Sequence, residues 1–554
     1  MKVFDIEAYE WNRVYAIGIY DGRNIIKKEG NNIKNDVFIE WLLDNLYDGD
    51  VVYAHNGGKY DFLFIMHFLK AHKEHKIKKM LIIHGSIVKF VVVYNEKKIE
   101  FRDSFAILPK SLRSLTNDFD VTHKKLEMDY DIGIDDARYE EYFNNDLMGL
   151  YEVLLQASDL HEKPTLASNA LNIFSNDFYR GRISSNSMKI NNIFRESYYG
   201  GRVEIFKMAG QELNYYDVNS LYPSVMYDFK YPLPIKNNYE ITYSLSNKYE
   251  GIYKCSIEAP YLKIPILPIK HDKKLVFGIG SWTGWYASQE LRKAKELGYK
   301  VNIIYGYKFL ASDYIFREYV EHYYKIKKES KGAKKAIAKL MLNSLYGKFG
   351  QRNELESWKI DIQGRSKASM YKDVYKYYNV GGFNVSVKKF RINAPFMHTE
   401  IASMITANAR LRLYSLIERA GMNNVYYCDT DSIITSSLMN TSEELGDIKE
   451  EAHIDKFIAI APKVYAYTSG DKVAIRAKGL LAKNLKFVDF ENALLKHDLS
   501  AFVSNFERLG GIKEVRVRHI DFGDKISVKK AMRSIYDKRI IRDNFDTEPV
   551  KIVQ

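Results

Sequence analysis

Residues Val425–Ile434 read VYYCDTDSII. Two apolar runs bracket Asp429-Thr430-Asp431, so two carboxylates stand one residue apart between segments with the composition of core strands. Ionised carboxylates resist burial unless hydrogen bonds or cations compensate them. The stretch is therefore confined to a hairpin whose tip faces a cleft or solvent. An Asp-rich turn also joins strands routinely; the rest of the chain decides between the two readings.

At 554 residues, 46% hydrophobic and 14% aromatic, the chain can bury several cores and form more than one domain. Lys and Arg exceed Asp and Glu by 83 to 70, a net charge of +13. Such an excess favours a polyanionic partner, either nucleic acid or an anionic membrane surface. The membrane is the weaker candidate. No apolar run approaches the roughly 18 residues needed to span a bilayer, and the most hydrophobic patch, Met80–Tyr94, is interrupted by His84 and Lys89. The opening MKVFDIEAYE places Asp5 and Glu7 where a signal peptide needs its apolar region. Cys255 and Cys428 alone make neither a disulfide framework nor a zinc site. A soluble intracellular protein is expected.

Residues 1–155 predict an α/β domain. Strands KVFDIEAY and RVYAIGIYDG precede helix DVFIEWLLDNL, strand VVYAHN and helix YDFLFIMHFLKAH; three strands (LIIHG, VKFVVVYN, KIEFRDSF) and helix ARYEEYFNNDLMGLYEVLLQAS follow. NYYDVNSLYPSVMYDF reads as a strand running into a helix. Residues 229–312, proline-rich between Pro232 and Pro268, read as an inserted module in which GIGSWTGWYASQELRKAKELGYKVNII is a helix followed by a strand. Residues 313–350 predict a basic helical hairpin that turns at 329–332. Residues 351–396 read as a polar, Tyr-rich, strand-like second insert, and 397–420 as a helix leading back to the VYYCDTDSII hairpin. Arg508–Arg542 holds eleven Lys and Arg against four Asp and Glu.

Two acidic sets emerge. Asp5 and Glu7, two apart on a strand, share a face; Asp61 begins a helix after YAHNGGKY, and Asp146 lies one turn after Tyr142. Four convergent carboxylates repel one another unless they bind divalent cations. The second set is Asp217, on the strand before SLYPS, with Asp429 and Asp431. Phosphoryl transfer needs such an arrangement around two Mg²⁺ ions. In KLMLNSLYGKFG, Lys339, Asn343 and Tyr346 share one helix face, with Lys335 one turn earlier. There a lysine can meet a triphosphate as a point charge, and the tyrosine can stack on a base or sugar. A solvated basic face is the bland alternative, although it needs neither the aromatic nor Gly347.

In this order the motifs resemble those of the protein-primed family B DNA polymerases of small tailed phages and linear plasmids, from about residue 1 to 480. DIEAYE, HNGGKYD and YFNND are similar to the three exonuclease motifs. The resemblance implies Asp5, Glu7, Asp61 and Asp146 as metal ligands, Tyr142 orienting the attacking water, Lys125 in support, and His55, Asn56 and Tyr60 touching a single-stranded 3′ end. SYYGGRV, with Tyr198, Gly200 and Gly201, looks like the YxGG motif that helps hold the template. DVNSLYPS resembles motif A, with Asp217 and the Val218 carbonyl on metal and Tyr222 under the sugar. KLMLNSLYG resembles motif B, giving Lys335, Lys339, Asn343 and Tyr346, with Lys327, to the incoming dNTP. YCDTDS resembles motif C, Asp431 being the more direct metal ligand and Asp429 its neighbour. Lys463 and Tyr465 in KVY, and Arg476 and Lys478 in RAKGL, would contact the primer strand.

The resemblance implies a multidomain α/β and α+β fold: an RNase H-like 3′–5′ exonuclease domain plus a right-hand polymerase with two insertions. The expected divisions are exonuclease 1–158, palm 159–228, insertion 229–312 contacting a priming terminal protein, fingers 313–350, insertion 351–396 helping to encircle DNA, palm 397–480 and thumb 481–554. The implied activity is proofreading DNA synthesis, strand-displacing, on a linear viral or plasmid genome in the host-cell cytoplasm. The implied cofactor is Mg²⁺, two ions per site, with Mn²⁺ as substitute. Partners would be primer-template DNA, dNTPs, the terminal protein and a single-stranded DNA-binding protein, with the polymerase a monomer. A family B polymerase using ordinary primers and a catalytically idle nucleic-acid-binding factor remain alternatives, though the two inserts weigh against the first and the intact acids against the second.

Overall fold

The computed structural model describes all residues except 73, 84, 128–132, 353, 362–375, 381–382, 392–393, 395, 512–513, 515–523 and 554. The N-terminal domain is built on a seven-stranded mixed sheet in the order Ile25–Glu29, Arg13–Tyr20, Lys2–Tyr9, Val51–Ala54, Lys97–Asp103, Ser86–Tyr94, Lys76–Ile83. The Val51–Ala54 strand runs parallel to both its neighbours, and the other pairs are antiparallel. Strand alternation decides which side each residue serves. Phe4 and Ile6 pack with helices Asn35–Asp44 and Asp61–Ala71, while Val3 belongs to the core that includes Phe143 and Leu147 of helix Tyr139–Gln156. Asp5 and Glu7 share the Val3 parity and so look toward that last helix. Two elements, Ile25–Glu29 and helix Leu112–Asp118, were absent from the sequence reading: IIKKE is short and charged, and LRSLTND lacks a full apolar period.

A second seven-stranded sheet, antiparallel throughout, forms the body. Its order is Lys472–Ala477, Val464–Ser469, Ile448–Ala461, Ala209–Val218, Ser432–Thr435, Val425–Asp429, Val203–Ile205. Helix Thr399–Ala420, buried along most of its length, covers this sheet together with helix Leu221–Asp228. Helices Arg317–Glu329 and Gly332–Phe349 form the expected hairpin. The second insert contains three antiparallel strands, Glu354–Asp361, Lys376–Val380 and Phe383–Arg391; part of it lies outside the described residues.

Residues 229–312 carry a sheet ordered Tyr239–Thr242, Lys300–Phe309, Gly251–Ala259, Ile279–Ala287, Lys551–Val553. This corrects the reading of a helix from Gly278: SWTGWYA is a strand paired with Gly251–Ala259, and the helix is only Ser288–Glu296. Its residues alternate, Trp282 buried between exposed Ser281 and Thr283, as a pleated surface requires. The C-terminal range also divides. Helix Phe487–Lys496 packs on the body sheet and the hairpin Val503–Leu509/Lys525–Ala531 reaches the N-terminal domain core through Leu509, while Arg539–Ile541, Thr547–Pro549 and Lys551–Val553 return to the body.

That return depends on Gly280. Its φ is +101°, and an added Cβ would stand 2.2 Å from the Ile552 carbonyl oxygen, a backbone atom that cannot swing aside. Gly280→Ala is expected to cost about 2 kcal/mol or more. The cost should appear as a lower thermal midpoint and faster proteolysis after residue 536; an unchanged midpoint would refute it.

Candidate active sites

The first acidic set assembles from three segments. One carboxylate oxygen each of Asp5, Glu7 and Asp146 lie within 4.8 Å of one another. Asp61 is buried at its helix start, where Oδ1 accepts the Ile6 N–H at 3.2 Å. The Lys125 ammonium pairs with Asp146 Oδ2, lies 3.4 Å from the Tyr142 hydroxyl and sits over the Tyr142 ring. Tyr142 also hydrogen-bonds Glu7. Burial, and then Asp146, lifts Asp5 to about 7. Burial and the neighbouring Asp5 likewise raise Glu7 and Asp61 well above the usual carboxylate range. Asp146 Oδ1 is buried and has no hydrogen-bond partner among the described residues. An orphaned oxygen in an all-carboxylate cluster, with one lysine against four acids, is the donor chemistry of a divalent hard cation. The residues fit Mg²⁺.

The cluster opens into a cleft of about 1420 Å³ also lined by His55, Asn56 and Tyr60 and, on its far wall, by Phe506, Arg508 and Lys530. His55 differs from expectation in one respect: Nδ1 meets Ser104 Oγ and Nε2 meets the Lys110 carbonyl, both at 2.9 Å. A carbonyl only accepts, so Nε2 carries the proton. Burial lowers His55 to about 4 and keeps it neutral. Its polar atoms are therefore engaged within the protein. Asn56, left-handed at φ +60°, turns the chain into the Gly57-Gly58 bend. That bend is held by Asp103, a residue sequence reasoning missed, whose carboxylate accepts the Gly58 and Phe105 N–H groups at 3.2 and 3.0 Å. The D-S-F start of a capped turn was the available signal.

The second set is fixed by strand register. Asp217 lies opposite Ser432, and the Val218 N–H donates to the Asp431 carbonyl at 2.7 Å. Asp217 is raised to about 6, by burial first and then by Asp431; burial also raises Asp431. Asp429 is engaged elsewhere: Lys463 Nζ reaches its Oδ1 at 2.5 Å and the Tyr427 hydroxyl its Oδ2 at 3.2 Å. Asp217 and Asp431 are thus left as the pair able to take a cation, an oxygen set that again fits Mg²⁺. Thr430, at φ +61°, gives its N–H to the Arg202 carbonyl at 2.7 Å. Gly201 lets the strands meet this closely, since a Cβ there would lie 2.9 Å from Thr430. Gly200 has open space around it; its carbonyl accepts from Arg410 at 3.0 Å.

A cationic wall stands over this pair. Lys335, Lys339 and Asn343 are exposed on helix Gly332–Phe349. Lys327, at the hairpin's other arm, reaches Ser220 Oγ at 2.8 Å, and its pKa is lowered by burial and by Lys339. Tyr346 stacks on Tyr222 with centroids 4.5 Å apart, and Tyr198 lies against Gly350 at the helix end. Lys449, unnoticed in the sequence, stands opposite Asp217 with Nζ 3.9 Å from Oδ1; only strand register reveals it. Tyr465 is buried at 5% exposure against Tyr427, which leaves Arg476 and Lys478 as the exposed members of the strand-contact group.

The sequence profile described as "DNA polymerase type B, organellar and viral" matches residues 46–138 and 134–444. A probable DNA polymerase of Neurospora intermedia is 29% identical over 81% of this chain and 54% of its own length. The DNA-directed DNA polymerase of Enterobacteria phage PRD1 is 26% identical over 88% of this chain and 86% of its own. The chain spans about half the length of its relatives from Neurospora intermedia, Podospora anserina and Ascobolus immersus. Phi29 DNA polymerase, solved with primer-template DNA and incoming nucleotides, superimposes with a TM-score of 0.74 at 21% identity, covering 96% of this chain and 99% of that one. The expected architecture, an exonuclease-type domain joined to a right-hand polymerase body, is the one found. With the profile spanning most of its length, the chain belongs to the organellar and viral type B DNA polymerases.

Proposed function

We propose that the protein is a DNA-directed DNA polymerase with a 3′–5′ proofreading exonuclease, protein-primed and strand-displacing, that replicates a linear viral or plasmid genome. The observation that carries this reading is the pairing of two carboxylate sets, each assembled from segments far apart in sequence, one of them beneath the lysines of the helical hairpin and the other at the base of a cleft lined by His55, Asn56 and Tyr60. The hairpin lysines suit a triphosphate, whereas the long cleft over the other set, with Lys59, Arg508 and Lys530 along it, suits a strand end from which water removes a nucleotide. The relatives solved with primer-template DNA and nucleotides support those two partners. The sheet of residues 239–309 is the surface we assign to a priming protein. Among the described residues no helix is long and apolar enough to cross a membrane.

Asp217 and Asp431, with the Val218 carbonyl, would hold Mg²⁺ at one site, and Asp5, Glu7, Asp61 and Asp146 at the other; the bound ions supply an activated oxygen nucleophile and a neutralised leaving oxygen. Lys335, Lys339 and Lys327 balance the triphosphate and the departing pyrophosphate as point charges. The Tyr222–Tyr346 stack walls the sugar and base. Lys463 neutralises Asp429 and so relieves repulsion at the turn. In the exonuclease site, Lys125 screens Asp146 while Tyr142, hydrogen-bonded to Glu7, orients the attacking water.

Primer extension on a singly primed circular single-stranded template tests the reading. Products many circles long are expected with dNTPs and Mg²⁺. Asp431→Asn should lower extension by about 10³-fold or more yet leave 3′-end degradation intact, and Asp5→Asn should do the reverse. A chain that only shortens the primer would leave a bare exonuclease.

The raised carboxylates add a pH prediction. Asp5 at about 7 and Asp217 at about 6, against an ordinary 3.8, hold protons in the folded state that the unfolded chain releases. Without metal, the fold therefore loses stability as pH rises from about 4 to 7. Mg²⁺ competes with those protons and should raise the melting temperature more at pH 8 than at pH 5. An equal rise at both pH values would sink the assignment.

A further inference from the structure

Residues 536–547 are laid along the strand that backs the Asp429–Asp431 turn. The Ile205 N–H donates to the Tyr536 hydroxyl at 3.3 Å, the Thr547 N–H to the Phe206 carbonyl at 2.9 Å, and the Met208 N–H to the Phe545 carbonyl at 2.9 Å. Thr547 Oγ1 donates to the Ile205 carbonyl at 2.7 Å. On the other side of the same strand, Val203 pairs with Asp429 and Glu204 with Cys428.

Beneath the turn lie three buried charges, Arg202, Glu204 and Arg539, each at 3% exposure or less. Arg202 grips Glu204 Oε2 through Nε at 2.8 Å and Nη2 at 2.5 Å. Glu204 Oε1 has no hydrogen bond among the described residues and faces Arg539 Nη1 at 3.7 Å. Two guanidinium groups thus share one carboxylate, and burial pushes the neighbouring Cys428 thiol up to about 12, where it is neutral. Both cations also reach the inserted module: Arg202 Nη1 donates to the Pro265 carbonyl at 2.8 Å, and Arg539 Nη2 to the Lys263 carbonyl at 2.6 Å. Arg539 Nε holds Thr547 Oγ1 at 2.8 Å. Two guanidinium groups therefore meet on one buried carboxylate behind the acidic turn, and both are held by carbonyls of the inserted module.

We propose that Glu204 and Arg539 are positioning residues for nucleotidyl transfer, through which the C-terminal segment sets the height of the Asp429–Asp431 turn relative to Asp217. The inference rests on the polymerase reading above. A buried charge stays put only while its partners do, so loss of the Arg539 end releases the Val203–Ile205 strand and the turn paired with it. A displacement near 1 Å at reacting groups costs on the order of 10²-fold in rate. The exonuclease cluster is built from other strands and provides an internal control.

The test uses the full chain and its Arg539→Lys, Arg539→Met and Thr547→Val variants. Each preparation is assayed for primer extension across a Mg²⁺ titration and for 3′-end degradation of a single-stranded oligonucleotide. Arg539→Met should lose about tenfold or more in extension and need several-fold more Mg²⁺ for its half-maximal rate, with degradation within about twofold of the parent. Arg539→Lys should recover part of the loss, and Thr547→Val, which keeps the ion pair, should show a smaller shift in the same direction. Parallel falls in both activities, or an unchanged Mg²⁺ requirement for extension, would overturn the proposal. Should Arg539→Met fail to fold, Thr547→Val decides on the same criterion. Failure of the parent chain to extend primers at all would instead remove the polymerase reading.

Discussion

Asp217 and Asp431 are held beside each other by the register of two antiparallel strands and by the hydrogen bond from the Val218 N–H to the Asp431 carbonyl. Ionised carboxylates so placed repel unless a cation joins them, so the surroundings must hold the backbone against that repulsion. Support comes from both sides of the turn. Arg202 accepts the Thr430 N–H through its carbonyl and anchors its side chain in the buried Glu204 pair. Lys463 draws Asp429 out of the conflict. Helix Thr399–Ala420 contributes Arg410, which holds the Tyr199 and Gly200 carbonyls at 2.8 and 3.0 Å while paired with the buried Glu290 of the inserted module. The inserted module is thereby built into the scaffold that keeps the acidic turn in place.

The acids themselves were legible in the sequence because their local patterns are short and self-contained. Asp5 and Glu7 share a strand parity, Tyr142 and Asp146 a helix turn, and Asp429-Thr430-Asp431 a hairpin tip. The lysine face of helix Gly332–Phe349 was legible for the same reason: 3.6-residue periodicity places Lys335, Lys339, Asn343 and Tyr346 together without any tertiary information. The α/β character of the first domain followed from strands alternating with helices, whereas the right-hand body was implied only by the motifs' resemblance to a family.

What stayed hidden depends on pairing at a distance. Lys449 meets Asp217 only through the register of Ile448–Ala461 against Ala209–Val218, and Arg539 meets Glu204 across more than 300 residues. The SWTGWYA segment was misread because the following ELRKAKEL stretch has strong helical character, and periodicity does not mark where a strand hands over to a helix. His55 and Tyr465 carried motif identity, yet their polar or aromatic surfaces are occupied within the protein. A motif letter says which residue is present; the partners that use up its bonding capacity appear only in the fold.

The two carboxylate clusters share one donor chemistry and differ in burial and in the cations around them. At the proposed exonuclease site burial, ahead of the Asp146 charge, lifts Asp5 to about 7, and a single ammonium, Lys125, faces four acids. At the other site burial likewise raises Asp217, with Lys449 and Lys463 already against the acids and Lys327, Lys335 and Lys339 above them. On the proposed reading the difference follows from what each site must admit. A water molecule and a frayed 3′ end bring little charge of their own, so the carboxylates can lie deeply buried at the base of the cleft. A nucleoside triphosphate pairing on a duplex needs an open site, which stays hydrated, and it carries its own negative charge, which the lysine wall offsets. On that reading the hairpin lysines stand where the triphosphate would arrive, and the acids where phosphorus chemistry would take place.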